Sequence, residues 1–595
     1  MLALAPQIQQ VIVLVVTVLL IVFLLLDKIK PSYLFFSAVL LFLLSGIIRT
    51  NDLLDAFANE SILSIFLLIF ITAAIKEHFN LIGWMDKLFG NAKTPRAFLL
   101  RMTSGVAAVS AFLNNTPIVA LFMPYVYQWS KKRGVSPSKL LMPLSFAAIL
   151  GGMITVIGTS TNLVLNGLIE SKQAPAPTYL DYLIPGVLVS IGGILFLYFI
   201  GYKWLPDRTD LLQSAGGGSR EYLVEVKVVP ESSIIGRSIA KAGLRNLNGI
   251  YLFEVIRNKQ RLTPVKPEEV IQAGDILVFA GDTDNIIELL ERHKDFTTPF
   301  TNGERNHLKQ LNILETVIPY NSELVGQTLK RISFRENYDA AVVAIHRNGE
   351  RLHGKIGEIA LQAGDLLLVS PGAHFRKHIE QHPDLYLISV LRQPSNARPS
   401  AVKGFAVLLL ALIAGMSLGW LNLFFSLLLL TAYMIGFKLL SIGEVKKQLD
   451  VDLLVILVSS LTFSTALIDS GAAKLLAEGF MSLFHSFGNM GIIVGVYLLT
   501  LVLTSFVTHV AAVSIVFPVA YAIALQTPGM NAVAIFIAIA FAASASFHSP
   551  FSYQTNMMVY GPGGYKFKDF LKVGFPITLI YSVITLSFIA IYYKM

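Results

Sequence analysis

The chain has 595 residues, 54% of them apolar and 14% charged, with a formal charge of +9 and no cysteine. That composition is too apolar for one soluble enzyme, and the missing thiols exclude disulfides, thiolate metal sites and thiol nucleophiles. A basic balance would suit nucleic acid; here residues 206–400 hold 24 basic and 24 acidic residues, so the excess lies among the apolar segments, where loop orientation explains it.

Apolar runs long enough to span a bilayer recur at 8–26, 31–48, 61–75, 179–204, 401–420, 421–437, 452–468 and 572–593. The first lacks a basic leader and a small-residue cleavage site, so it reads as a helix and not as a signal peptide. The pattern divides the chain into a membrane half (1–205), an insert (206–400) and a second membrane half (401–595). Asp207 to Asp210 and Ala215 to Ser219 mark the first linker; Pro394 to Asn396, with Pro399 and Ser400, marks the second.

In the first half, an apolar helix over 95–113 meets Asn114-Asn115-Thr116-Pro117 and resumes to Tyr127. A proline after two Asn and a Thr breaks a helix and frees backbone carbonyls, which a bilayer tolerates only where protein or a wet cavity satisfies them. Such carbonyls, with Asn and Thr oxygens, suit a hard cation such as Na+, and the new helix amino terminus suits an anion. The bland alternative is a proline kink packed by amides. Gly151 to Asn162, ending in Gly158-Thr159-Ser160-Thr161-Asn162, is too polar and glycine-rich for a lipid-facing helix. It reads as an unwound stretch facing the first break, or as a seam of small residues between helices.

The insert repeats itself. Gln272-Ala273-Gly274-Asp275 recurs 90 residues later as Gln362-Ala363-Gly364-Asp365, and Gly236 and Gly326 lie 38 residues before their respective turn glycines. Alternating runs at 222–229 and 314–318, and apolar runs at 276–279 and 366–369, read as strands, and the Gly-Asp pairs as tight turns before them. Two α+β modules fit, over 206–300 and 301–400. They resemble TrkA-C (RCK-C) domains in the Pro230–Gly236 and Pro319–Gly326 patterns and the Ala-Gly-Asp turn. The resemblance implies regulation, pairing and a small ligand of the cyclic dinucleotide type. No nucleotide-binding fold precedes them in the insert, and no organic cofactor is expected.

The second half carries the first break again. Thr508-His509-Val510 ends at Pro518 and is followed by Ser552, Tyr553, Gln554, Thr555 and Asn556. Asn115 to Asn162 spans 47 residues and so does His509 to Asn556; each pair is offset by 394. Short polar breaks in matched positions of two apolar halves point to the binding site of a secondary transporter. Lys28, Lys30, Lys76, Lys87, Lys93, Arg96, Arg101, Lys131, Lys132 and Arg133 fall in loops on the side of the insert, which the positive-inside rule makes cytoplasmic. Helix counting then places both termini outside and gives the halves opposite topology. No Walker loop, zinc-protease motif, Rossmann fingerprint or acidic pair at a strand end indicates an enzyme.

Over both membrane halves, Asn114 to Pro117, Ile157 to Asn162 and Tyr553 to Tyr565 resemble the divalent anion:sodium symporter family, within the ion-transporter superfamily that also holds citrate, arsenite and some sodium/proton carriers. The resemblance implies a polytopic α-helical dimer in the inner (plasma) membrane among its lipids. It implies inverted repeats with re-entrant hairpins, elevator movement, and symport of an oxyanion with Na+. Carried over, Asn114, Asn115 and Thr116 occupy the first anion motif, Asn115, Gly158 and Asn162 a sodium site, and Thr508 the second motif, with Thr159, Ser160, Thr161, Ser552, Gln554, Thr555 and Asn556 alongside. His509 and Val510 depart from the family's Asn and Thr. Val510 offers no oxygen, and an imidazole is a poor ligand for a hard ion. An ionisable group at membrane depth is functional by default, and histidine titrates near neutrality. Two readings of His509 stand: a neutral ring hydrogen-bonded to a carbonyl, or, with His548 nearby to pair with it, a group that serves proton coupling or pH-sensitive anion attraction. Sulfate is the first candidate substrate and a di- or tricarboxylate such as succinate or citrate the second. A Na+/H+ antiporter of the same superfamily and a non-transporting membrane sensor are the alternatives.

Overall fold

The computed structural model describes residues 5–26, 29–79, 81–208, 223–244, 250–258, 260–281, 296–297, 314–319, 322–347, 350–352, 356–372, 374–375, 378–379, 384–388, 399–418, 420–440 and 451–595. Lys28, Thr209, Asp210, the Ala215–Ser219 and Pro394–Asn396 linker segments, and the start of the first strand run at Tyr222 lie outside them. Among the described residues, seven helices are long and apolar enough to cross a membrane, and four shorter apolar helices accompany them. The chain is therefore a multi-pass membrane protein.

One long helix and a second helix start recur in the two halves at the 394-residue offset. Asn115–Lys132 matches His509–Gln526 end for end, and Ser160 and Gln554 both start helices. Leu141–Gly152 and Ala532–Ser544 precede the two unwound stretches. Local chemistry sets these boundaries. Thr94 accepts from Ala97 N–H at 3.2 Å ahead of Pro95, which opens helix Pro95–Ser110. Asn531 accepts from Val533 N–H at 2.9 Å at the head of Ala532–Ser544. Close packing relies on glycine: a Cβ on Gly151 would lie 2.2 Å from the Ala107 carbonyl oxygen, so helices Pro95–Ser110 and Leu141–Gly152 touch backbone to backbone. A continuous hydrophobic core runs through both halves, with helix Pro31–Leu44 packed on Val451–Asp469 through Phe35, Phe42 and Phe463.

The insert forms two five-stranded antiparallel sheets. The first contains β1 (Leu223–Val228), β2 (Ile250–Arg257), β3 (Gln260–Leu262), β4 (Ile276–Gly281) and β5 (Phe296–Thr297), in the order β3-β2-β4-β1-β5. The second contains β6 (Leu314–Val317), β7 (Ala340–Arg347), β8 (Glu350–Arg351), β9 (Leu366–Pro371) and β10 (Tyr386–Leu387), in the equivalent order. Even the register shifts correspond, between Leu252 and Glu254 and between Val342 and Ala344.

Gly274 and Gly364 have φ of 82° and 83°, as tight turns require. Asp275 and Asp365 close those turns by accepting from Gln272 and Gln362 N–H, each at 2.8 Å, and each also takes a two-pronged pair from Arg257 or Arg347. Asp365 is fully buried. Arg347→Ala strands that carboxylate and should destabilise the module by about 3–5 kcal/mol. Limited proteolysis of the full-length protein checks this: the variant's insert should be cut much faster at unchanged sodium concentration.

Candidate functional site

Both polar breaks end in a helix start, and these starts meet. Asn114 precedes helix Asn115–Lys132 and Thr159 precedes Ser160–Ser171; neither caps its helix with its side chain, so the first N–H groups stay open. Thr508 does cap His509–Gln526, accepting from Ala511 N–H at 3.4 Å. Tyr553 precedes the short helix Gln554–Tyr560.

Tyr553 joins the four. Its hydroxyl lies 2.8 Å from the Asn115 carboxamide and 3.4 Å from Thr159 Oγ1, and its ring centroid is 4.2 Å from that of His509. Thr159 and Tyr553 are themselves equivalent across the 394-residue offset. The motifs contain Tyr553 but give it no role; residues that correspond across a duplication touch only near the axis relating the copies, and the offset was the signal available.

The first copy is tightly held. Asn115 is buried between Ser110 Oγ at 2.7 Å and Tyr553. With its oxygen accepting from the Tyr553 hydroxyl, its nitrogen has Ser110 Oγ and the carbonyls of Ala148 and Gly158 within reach for its two hydrogens, at 2.7, 2.9 and 3.2 Å, and Ser110 Oγ itself donates to Ala148 O. The unwound stretch is shorter than expected, because Gly151 and Gly152 end one helix and Ser160 to Asn162 begin the next, leaving 153–159. It faces the first break, where the Thr155 hydroxyl donates to the Ala111 carbonyl and a Cβ on Gly158 would lie 2.5 Å from Gly152 O and 2.7 Å from Ser110 O. Asn162 is fully buried. Its nitrogen donates to Thr155 O at 3.3 Å, and its oxygen has no partner. A buried, unpaired carboxamide oxygen is a donor of the kind a small hard cation takes. Thr161 is buried and accepts from Thr159 Oγ1 at 3.4 Å.

In the second copy the equivalent asparagine is fully hydrogen-bonded. Asn556, equivalent to Asn162, donates to Ser549 O at 3.1 Å and Ser546 O at 3.4 Å, and its oxygen accepts from Ser145 Oγ at 2.7 Å. Ser145 also reaches Thr555 Oγ1 at 2.9 Å, and Ser552 donates to the Ser546 and Ser549 carbonyls at 3.0 Å each. His548 lies 3.1 Å from Ser505 Oγ through Nε2, so its partner is a serine; the expected pairing with His509 is not made. His509 hydrogen-bonds the Ala543 backbone, and its Nδ1 has no partner.

Partly exposed or exposed residues rim the meeting point: Asn114, Thr116, Ser160, Thr508, His509 and Gln554. Thr116 donates to Gln554 Oε1 at 3.0 Å. The equivalent pair, Val510 with Ser160, includes a side chain that cannot hydrogen-bond, so one side of the rim is polar and the other half apolar. No lysine or arginine lies in the four helix starts or the unwound stretches before them.

The family described as citrate transporter (CitMHS) matches residues 8–431 and 413–595. A Chlamydomonas reinhardtii protein named for the sulfur deprivation response is 31% identical over 94% of this chain and 97% of its own length. An uncharacterized transporter of Synechocystis is 30% identical over 92% and 91% respectively. Sodium/sulfate cotransporter 1 of Chlamydomonas reinhardtii is 23% identical over 90% and 84%. With a family match across the whole chain and relatives matched nearly end to end, this protein belongs to the citrate transporter family of membrane transporters.

Proposed function

We propose that the chain carries a small divalent oxyanion across the membrane, driven by sodium. The observation that carries this reading is the meeting of helix amino termini around Tyr553, together with the unpaired oxygen of Asn162 in the helix that begins at Ser160. Each long helix contributes roughly half a positive charge at its start, and with no cationic side chain there, helix ends and a bound cation must supply the field for the anion. Gln554, Ser160, Asn114 and, once it leaves Gln554 Oε1, Thr116 would donate to the oxyanion oxygens. Sulfate is the first substrate, in keeping with the sodium/sulfate cotransporter among the relatives; a di- or tricarboxylate is the second.

The two copies are unequal in this reading. Asn162, with Gly158 and the scaffold of Asn115, forms the sodium site, while Asn556 spends its own amide on the carbonyls that a second ion would need. His509 replaces that ion with a titratable group. The halves are inverted repeats whose hairpins move as an elevator within a homodimer. The insert, of TrkA-C type, lies in the cytoplasm with both chain termini outside.

Reconstituted liposomes test the reading. An inward sodium gradient should drive accumulation of labelled sulfate, competed by unlabelled sulfate more than by succinate or citrate. Sodium-dependent proton flux without anion uptake would identify an antiporter, and absence of any flux a sensor; either result overturns the proposal.

A further inference from the structure

The two modules of the insert share a fold but not an environment. Val317, Leu366 and Ile388 of the second module are buried in the same hydrophobic cluster as the membrane helices. Glu315, 1% exposed, faces Lys131 Nζ at 3.4 Å, and Lys131 lies in the last turn of helix Asn115–Lys132. The turn at Gly364 meets the end of helix Gln554–Tyr560: a Cβ on Gly364 would lie 3.1 Å from Met557 O, and one on Gly561 would lie 2.3 Å from Gly364 O. Two of the four helices that start at the rim therefore end on this module. Arg208, at the head of the insert, reaches the Gly564 carbonyl and pairs with Asp569 at 2.8 Å, holding the same loop.

The first module differs at the equivalent positions. A Cβ on Gly274 would meet nothing within 4 Å. Lys227, the counterpart of Val317, is exposed, and Ile276, the counterpart of Leu366, is partly exposed. A lysine in place of Val317 could not enter an apolar contact without losing its hydration.

We propose that the modules have divided roles: the second is fixed to the remote ends of helices Asn115–Lys132 and Gln554–Tyr560 and moves with them as one body, while the first keeps the same face free. The docking stands on its own contacts; the movement rests on the reading of these helices as the anion site. A load on the second module then reaches the rim through two helices, as coupling between sites requires a shared element.

The chain has no cysteine, so a defined pair can be introduced. In native membranes, Lys131→Cys with Glu315→Cys should join in most molecules through a short thiol-to-thiol linker, and Lys131→Cys with Glu225→Cys, the first-module counterpart, should not. Sulfate uptake should survive the crosslink within about twofold, because a body that moves as a unit tolerates an internal tether. Val317→Lys, which copies the first module, should cut crosslinking by roughly tenfold or more through the desolvation of its ammonium. Crosslinking no better than the control pair, or unchanged in Val317→Lys, overturns the docking. Efficient crosslinking that stops uptake overturns movement as one body. If the unmodified protein carries no anion, crosslink yield still decides the docking, and the failure belongs to the transport reading alone.

Discussion

Asn162→Ala is expected to remove most of the protein's response to sodium. The Asn162 oxygen is buried without a hydrogen-bond partner, while its nitrogen is held by Thr155 O. A hydrogen-bonding group left unpaired in the interior costs about 1–3 kcal/mol, and a bound cation removes that cost. Losing one ligand to a charge is worth roughly 1.5–3 kcal/mol, or about 10- to 150-fold in sodium affinity. The measurement is the sodium-dependent rise in unfolding temperature of the purified protein, which reports binding without requiring transport. Asn162→Ala should show almost no rise at sodium concentrations that stabilise the parent. Asn556→Ala is the contrast: it removes one hydrogen-bond partner each from the Ser546 and Ser549 carbonyls and the Ser145 hydroxyl, so its unfolding temperature should fall while the rise with sodium persists. A full sodium response in Asn162→Ala would place the ion elsewhere.

The contrast between these two asparagines also marks what a sequence can disclose. The helix breaks were legible because Pro117, the Gly151–Asn162 stretch and the 544–556 stretch cannot continue a lipid-facing helix, and the shared offset of 394 tied one set to the other. The paired turns of the insert were legible for the same reason, since Gly274 and Gly364 need a left-handed backbone. Contacts between the halves were not legible. Ser145 satisfies Asn556 across 411 residues, and Tyr553 reaches Asn115 across 438; neither pair carries a local pattern. Proximity along the chain also misleads: it puts His548 beside His509, but the polar stretch turns the His548 ring to Ser505. The insert's second module shows the same limit. Its repeat is plain in sequence, yet nothing in the repeat announces that Val317, unlike Lys227, packs into the membrane core.

His509→Asn is expected to flatten the pH dependence of uptake and to raise its dependence on sodium. The imidazole sits against the Tyr553 ring and the Ala543 backbone, with Nδ1 unpartnered, at the start of a helix that borders the rim. A proton there adds a positive charge to a site built from helix ends and one cation. At an effective dielectric near 20, a unit charge about 6 Å from an oxyanion contributes roughly 3 kcal/mol, enough for a tenfold or larger change in apparent affinity even after solvent screening. Anion attraction is present while the ring is protonated and is lost as pH rises through its titration. Sulfate is the right probe because it stays divalent over this range, so any effect belongs to the protein. With equal pH on both sides of the liposome, the parent should take up sulfate better as the pH is lowered, and an inward proton gradient should stimulate it further. Asn at 509 restores the residue found at Asn115, offers an oxygen, and cannot titrate. The variant should lose both proton effects and show a steeper sodium curve as a second ion gains a ligand. Unchanged pH and sodium dependence in His509→Asn would reduce His509 to a packed, neutral ring, and the inequality of the two copies would then rest on Asn162 and Asn556 alone.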